Sequence, residues 1–171
     1  MRTLVAFLAV LPAVAFASQA AAQTTTINFD DMAVSSCVYS TAPDLADQYA
    51  SMGATFSGDI TTFPKVVPAT CLTISGASAP NFVALSGSGN YLRVDLAPSV
   101  ASVSMGVGNY NRIETFTLTA YDTDGATLAT STFSPPYREF GRISVTASGI
   151  SYVVLTALHG ENAVDDVTFG A

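Results

Sequence analysis

Residues 115–122, TFTLTAYD, decide the fold class because apolar and hydroxyl side chains alternate along them. Phe116, Leu118 and Ala120 fall on one face, and threonines fall on the other. A repeat of two residues is the pattern of a β-strand with one face in a core and one face in solvent. The segment therefore predicts a half-buried strand of a sheet.

Similar short runs follow one another along the chain, separated by clusters of Gly, Pro, Asn, Asp and Ser. This organisation is typical of an all-β sandwich or barrel. One segment, DLADQYASM at 44–52, favours a short helix. We predict an all-β fold, a two-sheet antiparallel jelly-roll sandwich with one short helix. The predicted strands cover 25–29, 54–58, 71–75, 81–87, 90–96, 100–108, 115–122, 127–133, 140–147, 150–157 and 163–169.

The N-terminal segment predicts export. Residues 1–22 combine Arg2, an apolar run over 4–17 and small residues before Gln23, which is the organisation of a signal peptide cleaved after Ala22. An uncleaved anchor is the alternative, but the run is shorter than the roughly 20 residues of a spanning helix. We expect residues 23–171 to form a single β-sandwich domain, secreted or periplasmic.

The charge balance excludes some partners. The chain has 6 Lys and Arg against 13 Asp and Glu, a formal net charge of −7, which becomes −8 when Arg2 leaves with the signal peptide. No basic patch is available to neutralise phosphates, which argues against nucleic acid and against anionic membrane surfaces as partners. We expect no membrane anchor in the mature chain, since no second apolar segment is long enough. The oligomeric state stays open.

The two cysteines, Cys37 and Cys71, indicate a disulfide, because an exported chain meets an oxidising compartment. Two free buried thiols are the alternative. A metal site built on cysteine is disfavoured, since neither residue has a second Cys or a His at ligand spacing.

Adjacent carboxylates stand near both ends of the chain. In ENAVDDVTFGA (161–171), alternation places Asp165 on the apolar face of its strand and Asp166 on the other. In INFDDM (27–32), Asp31 lies in phase with Ile27 and Phe29, next to Asp30. If the first and last strands are neighbours, the inward carboxylates approach each other and need a counter-charge.

Calcium is the predicted counter-charge, because it takes six to eight oxygen ligands in flexible geometry. Its predicted ligands are Asp31 and Asp165, with Asp30 and Asp166 beside them. The alternative is that Asp30 and Asp166 are solvated while Asp31 and Asp165 cap turns through backbone N–H groups.

Four segments carry a resemblance to a known group. INFDDM (27–32), QYASMGATFSG (48–58), AYDTDGATL (120–128) and AVDDVTF (163–169) resemble the calcium-bound jelly rolls of carbohydrate-binding modules and MAM-type domains. They resemble still more closely exported bacterial jelly-roll proteins that often carry a PEP-CTERM sorting tail. The resemblance implies a galactose-binding-like fold and a structural calcium. No Pro-Glu-Pro box follows Phe169, so we expect no membrane sorting by that route.

Two loops are the candidate ligand-binding site. GNYNRIE (108–114) supplies Tyr110, Asn111 and Arg112, and SPPYREF (134–140) supplies Tyr137 and Arg138. Aromatic rings stack on the apolar face of a sugar, while amide and guanidinium groups bond its hydroxyls. The alternative is that both segments are ordinary β turns.

The residues together predict a non-catalytic binding module for a carbohydrate or another surface polymer. One alternative is a structural or matrix protein of the cell exterior that contacts proteins or copies of itself. A polysaccharide hydrolase using Glu114, Glu139 or Glu161 is a third class. A hydrolase needs two carboxyl groups flanking a cleft, and the spacing of these three glutamates does not favour that arrangement.

Overall fold

The computed structural model describes residues 23–58, 64–86, 90–157 and 161–171. The predicted signal peptide, 1–22, lies outside the described residues. Nine strands occur in the described ranges: β1 Thr24–Ile27, β2 Ala54–Gly58, β3 Lys65–Pro68, β4 Asn81–Ser86, β5 Asn90–Asn109, β6 Phe116–Tyr121, β7 Thr127–Phe133, β8 Phe140–Ala157 and β9 Glu161–Gly170.

The strands form two antiparallel layers that share β5 and β8. In the first layer, the first half of β5 pairs with the second half of β8, with β2 beside β5 and with β6 and β7 beyond β8. In the second layer the order is β3, β4, β9, β5 and β8, and β1 also pairs with β9. The predicted all-β jelly-roll sandwich is confirmed.

The core between the layers follows the predicted alternation. Phe116, Leu118 and Ala120 of β6 are fully buried, and the threonines between them are not. Burying a Leu, Val or Phe side chain contributes about 1.5–3 kcal/mol. Phe29, Tyr49 and Phe56 close one part of the core through mutual edge-to-face contacts, with ring centroids 5.7 to 6.0 Å apart.

The predicted helix over 44–52 is wrong. No α-helix occurs in any of the described ranges. Within 44–52 a single 3-10 turn forms over Ala50–Met52, followed by Gly53 with φ of +89°. The backbone of this segment bonds to its neighbours: Leu45 N donates to Pro64 O, and Ala46 O accepts from Phe56 N. A nine-residue helix is only marginally stable by itself, so the tertiary hydrogen bonds determine the conformation of this segment.

Several strand boundaries also differ from the prediction. The predicted strand over 71–75 is absent apart from an isolated bridge between Ser75 and Glu139. Segments 90–96 and 100–108 belong to one continuous strand, as do 140–147 and 150–157. The breaks expected there are register shifts within long strands.

The predicted disulfide is confirmed. Cys37 is bonded to Cys71 across 34 residues. The linked segments cover the outer face of the second layer and bury a smaller apolar cluster there, which includes Val67, Ile74 and Phe82. In the part of the chain that the structure describes, no helix is long and apolar enough to cross a membrane.

Candidate functional site

The two predicted binding loops meet at one end of the sandwich. Segment 110–115 follows β5 and segment 134–139 precedes β8, and these strands pair there through Gly108 and Phe140. The Arg138 guanidinium carbon lies 4.8 Å from the ring centroid of Tyr110 and 5.3 Å from that of Tyr137. Both distances are within the range of cation–π contact. We call these three residues the rim cluster.

Asn109 holds the rim cluster in place from below. It is fully buried, and its side-chain amide donates to Pro135 O at 3.2 Å while its Oδ1 accepts from Arg138 N at 3.4 Å. Arg138 has a left-handed backbone, with φ of +59°, which costs a non-glycine residue about 1 to 2 kcal/mol. Its Nε donates to Tyr110 O at 3.3 Å. The guanidinium is thus positioned before any ligand arrives.

The remaining predicted loop residues have different surroundings. Asn111 is exposed, and its Oδ1 accepts from Glu161 N at 3.1 Å, so it ties the loop to β9. Arg112 is exposed in the same loop. Tyr137 is 49% exposed. The structure therefore brings Tyr110, Tyr137 and Arg138 together, with Arg112 on the adjoining loop.

A second Arg–Tyr arrangement, which the sequence did not predict, lies on the solvent face of the first layer. The Tyr121 and Tyr152 rings stack with centroids 4.7 Å apart and an interplanar angle of 10°. The Arg93 guanidinium carbon lies 3.8 Å from the Tyr152 centroid. We call these three residues the sheet stack. Each sits at an outward position of its strand, but only the pairing of β5, β8 and β6 reveals that they are neighbours.

The sheet stack offers little surface for a ligand ring. Because β8 lies between β5 and β6, Arg93 and Tyr121 approach Tyr152 from opposite sides and cover both faces of its ring. Arg93 also forms an ion pair with Asp95. The hydrogen bond from the Arg93 guanidinium to the Asp95 carboxylate raises the pKa of Arg93. The sheet stack is internally satisfied, and its role is to join three strands.

The predicted orientation of Asp165 needs a correction. The β5–β9 register runs from Ser104 opposite Thr168 to Gly106 opposite Asp165, so β9 holds one extra residue in this interval. Asp166 has φ of +47° at this bulge. A bulge reverses the alternation. Asp165 therefore faces away from the main core, on the opposite side from Val167.

A loop covers Asp165 on the outer face of the second layer. One carboxylate oxygen accepts from Ser78 N at 2.7 Å and from Ser78 Oγ at 2.8 Å, and the other accepts from Asp166 N at 2.9 Å. Asp165 is 1% exposed. Burial raises the pKa of Asp165 to about 6, although the hydrogen bonds from Ser78 act in the opposite direction.

The predicted inward orientation of Asp31 is wrong. Strand β1 ends at Ile27 and Phe29 has φ of +63°, so alternation does not extend to Asp31, which is exposed. Tyr49 Oη donates to its carboxylate. Burial, followed by this bond, raises the pKa of Tyr49. Asp30 accepts from Asn81 N at 3.1 Å.

The first and last described strands do lie side by side, as predicted, since Ile27 of β1 pairs with Val167 of β9. The carboxylates nevertheless have separate protein donors, which a shared ion would have to displace. Among residues with described positions, no group of three or more His, Cys, Asp or Glu could hold a metal ion. This donor set does not fit the predicted calcium site, and calcium binding stays a prediction. Chelation without any change in melting temperature would contradict it.

Comparisons with known proteins bear on the fold. A mutant form of a family 29 carbohydrate-binding module matches 88% of this chain and 87% of its own, with 8% identity and a TM-score of 0.52. A family 61 module solved with β-1,4-galactotriose matches 69% of this chain and 87% of its own, with 14% identity and a TM-score of 0.47. A family 6 module matches 85% of this chain and 92% of its own, with 14% identity and a TM-score of 0.44.

The fold is similar to that of carbohydrate-binding modules. This conclusion rests on the family 29 module, whose identity is too low to show more than the fold. No protein-family model and no curated protein matches the chain. The resemblances to MAM-type domains and to PEP-CTERM-associated proteins stay predictions.

Proposed function

We propose that this protein is an exported, non-catalytic module that binds a carbohydrate polymer through the rim cluster. The observation that carries the proposal is the meeting of the two loops around Arg138, with the Tyr137 ring half exposed beside it. The fold shared with a carbohydrate-binding module supports the proposal. The signal-peptide pattern of 1–22 and the Cys37–Cys71 disulfide support export.

The proposed binding mode follows from the chemistry of the rim cluster. A sugar ring packs its C–H face on Tyr137, while the terminal nitrogens of Arg138 donate to sugar oxygens. Asn109 holds the 134–139 loop through Pro135 O and Arg138 N, and Asn111 ties the 110–115 loop to β9, so little conformational entropy is lost on binding.

The carboxyl groups near the rim cluster supply the test of the hydrolase alternative. Glycosidases need two carboxyl groups that flank the scissile bond within one cleft. Glu114 is 7% exposed, whereas Glu139 is exposed on the loop beside Arg138. Polysaccharide turnover by the wild type that disappears in Glu139→Gln would promote the hydrolase alternative.

Glycan retention tests the proposal. We expect the protein spanning 23–171 to be retained by at least one polysaccharide on an array, and Tyr137→Ala to weaken that retention about tenfold, or ~1.4 kcal/mol. Tyr121→Ala is the matched control, because it removes a tyrosine from the sheet stack and leaves the rim cluster unchanged. Retention of no glycan, or equal loss in both variants, contradicts the proposal.

Self-association is a second candidate function, favoured by strand β7. This strand ends the order of the first layer, and in the described residues it pairs with β6 alone. Its sequence, TLATSTF (127–133), contains no charge and no proline, the features that usually protect an edge from pairing with another chain. Concentration-dependent assembly without glycan retention, abolished by Thr130→Lys, would support this function instead.

A further inference from the structure

We infer that the rim cluster recognises an anionic group on its carbohydrate, so that the ligand is an acidic polysaccharide bearing carboxylates or sulfates. The inference rests on the proposed function and adds the ligand class. It comes from the distribution of the basic side chains, which is uneven in this acidic chain.

Residues 23–171 contain five basic side chains. Lys65 and Arg93 are ion-paired with Asp44 and Asp95. Arg142 donates to the Ser104 and Thr168 hydroxyls and to a backbone carbonyl. These three cations are engaged in contacts of the fold.

The other two, Arg112 and Arg138, lie on the two loops at the rim. Neither has a carboxylate within 4 Å among the residues that the structure describes. Arg138 uses Nε for Tyr110 O, and its terminal nitrogens have no acceptor in the described ranges. Arg112 has no described hydrogen-bond partner. In a chain with 13 acidic residues, the two guanidinium groups whose terminal nitrogens have no acceptor in the described residues therefore both fall at the candidate site, whereas Arg142, which also lacks a carboxylate partner, is held by hydroxyl and carbonyl oxygens.

The geometry of Arg138 suits an oxyanion. A guanidinium presents parallel N–H donors that match the two oxygens of a carboxylate or sulfate. Its carbon lies over two tyrosine rings, and its left-handed backbone is held by buried Asn109. An anion at the terminal nitrogens would supply the partner that Asp95 supplies to Arg93.

Two acidic side chains oppose an anion here. Glu139 follows Arg138 in the chain, and Glu161 lies on β9 where Asn111 contacts its backbone. Neither pairs with a guanidinium within 4 Å in the described structure, so both arginines stay open. Salt weakens repulsion from these exposed groups and from the net charge, whereas an anion bonded to Arg138 keeps its direct contact, so we expect the acidic preference to be measurable near physiological ionic strength.

Paired ligands test the inference. Polygalacturonate is compared with its carboxyl-reduced form, and chondroitin sulfate with its desulfated form, alongside a neutral glycan panel. We expect the acidic member of at least one pair to bind about tenfold or more tightly than its neutral counterpart, as expected for a charge-assisted hydrogen bond. Binding of the uronate pair or of the sulfate pair identifies the anion.

Variants locate the effect. Arg138→Gln should lower the affinity ratio of acidic to neutral ligand about tenfold, which removes the preference. Arg138→Lys should keep part of the preference, and Arg112→Gln should reduce it less than Arg138→Gln does. Arg93→Gln is the matched control and should leave binding unchanged within twofold. Melting curves confirm that each variant is folded. If Arg138→Gln does not fold, a reduced preference in Arg112→Gln supports the inference, and an unchanged preference overturns it.

The outcomes separate the inference from the proposed function. Retention of neutral glycans only overturns the anionic ligand, whereas an acidic preference that survives Arg138→Gln overturns the role of the rim cluster in recognising the anion. Either outcome leaves the binding module standing. Retention of no member of either pair or of the neutral panel overturns the proposed function, and the inference with it.

Discussion

The sheet stack and the rim cluster use the same residue types in opposite ways. In the sheet stack, Arg93 lies on Tyr152, and Asp95 completes its ion pair. In the rim cluster, Arg138 lies between two tyrosines and has no carboxylate partner in the described residues. An arginine on a tyrosine is therefore no sign of a binding site by itself. The missing counter-ion and the exposed ring make the difference.

The disulfide should give the largest effect, and it should act on the rim cluster. Cys71 and Tyr110 both pack against the apolar cluster on the outer face of the second layer. Opening a 34-residue loop should cost about 4 kcal/mol in the chain-entropy model. We expect this loss in chemical denaturation of the double variant Cys37→Ser and Cys71→Ser.

The same variant sharpens the comparison through binding. Glycan affinity should fall, because Tyr110 loses support, while the sheet stack stays intact in the other layer. Wild type treated with reductant is the control for the serine substitutions. Unchanged stability in both samples would contradict the expectation.

The buried Asp165 carboxylate, on the outer face of the second layer, should make stability depend on pH. The folded protein holds the Asp165 proton more tightly than the unfolded chain, because the pKa rises from 3.8 to about 6. The unfolding free energy should therefore increase as the pH falls through 6, and this gain should level off below 3.8. A shift of this size corresponds to about 3 kcal/mol.

Asp165→Asn isolates this contribution. We expect the unfolding free energy of the wild type, relative to that of the variant, to be larger at about pH 4 than at about pH 7.5, because these values lie on either side of the raised pKa. A parallel pH profile of the two proteins would refute the assignment. Asp95→Asn is the matched control, because the Asp95 carboxylate is partly exposed beside the sheet stack.

Truncating one ring of each cluster should separate stability from binding. Tyr152 is half-buried between Arg93 and Tyr121, so Tyr152→Ala should lower the unfolding free energy by about 2 kcal/mol. Tyr137 is 49% exposed, so Tyr137→Ala should change it by about 0.5 kcal/mol or less. Thermal denaturation measures both. Equal destabilisation would mean that the rim cluster is as structural as the sheet stack.

Removing the counter-ion of the sheet stack should have the smallest effect. Both partners of the Arg93–Asp95 pair are more than one-third exposed, and such pairs contribute about 0 to 1 kcal/mol. We expect Asp95→Asn to leave the melting temperature almost unchanged. If the variant gains affinity for an acidic glycan, an unpaired arginine on tyrosine is by itself sufficient for binding.

Local pattern predicted most of the strands, and it did not extend across irregular backbone. Strands 54–58 and 127–133 match their predicted bounds, and the disulfide pairing was predicted correctly. The orientations of Asp31 and Asp165 were wrong. In both cases a left-handed residue, Phe29 or Asp166, interrupts the alternation, and nothing in the local sequence announces it.

The chemistry of the loops was readable from the sequence, but their meeting was not. Alternation, turn residues and two cysteines are local or countable properties, so they determined an all-β sandwich, its disulfide and a list of candidate side chains. Proximity depends on strand register and on long-range contacts. Only the tertiary structure could therefore show that Arg138 contacts two tyrosine rings and, among the described residues, has no carboxylate partner, whereas Arg93 is ion-paired with Asp95.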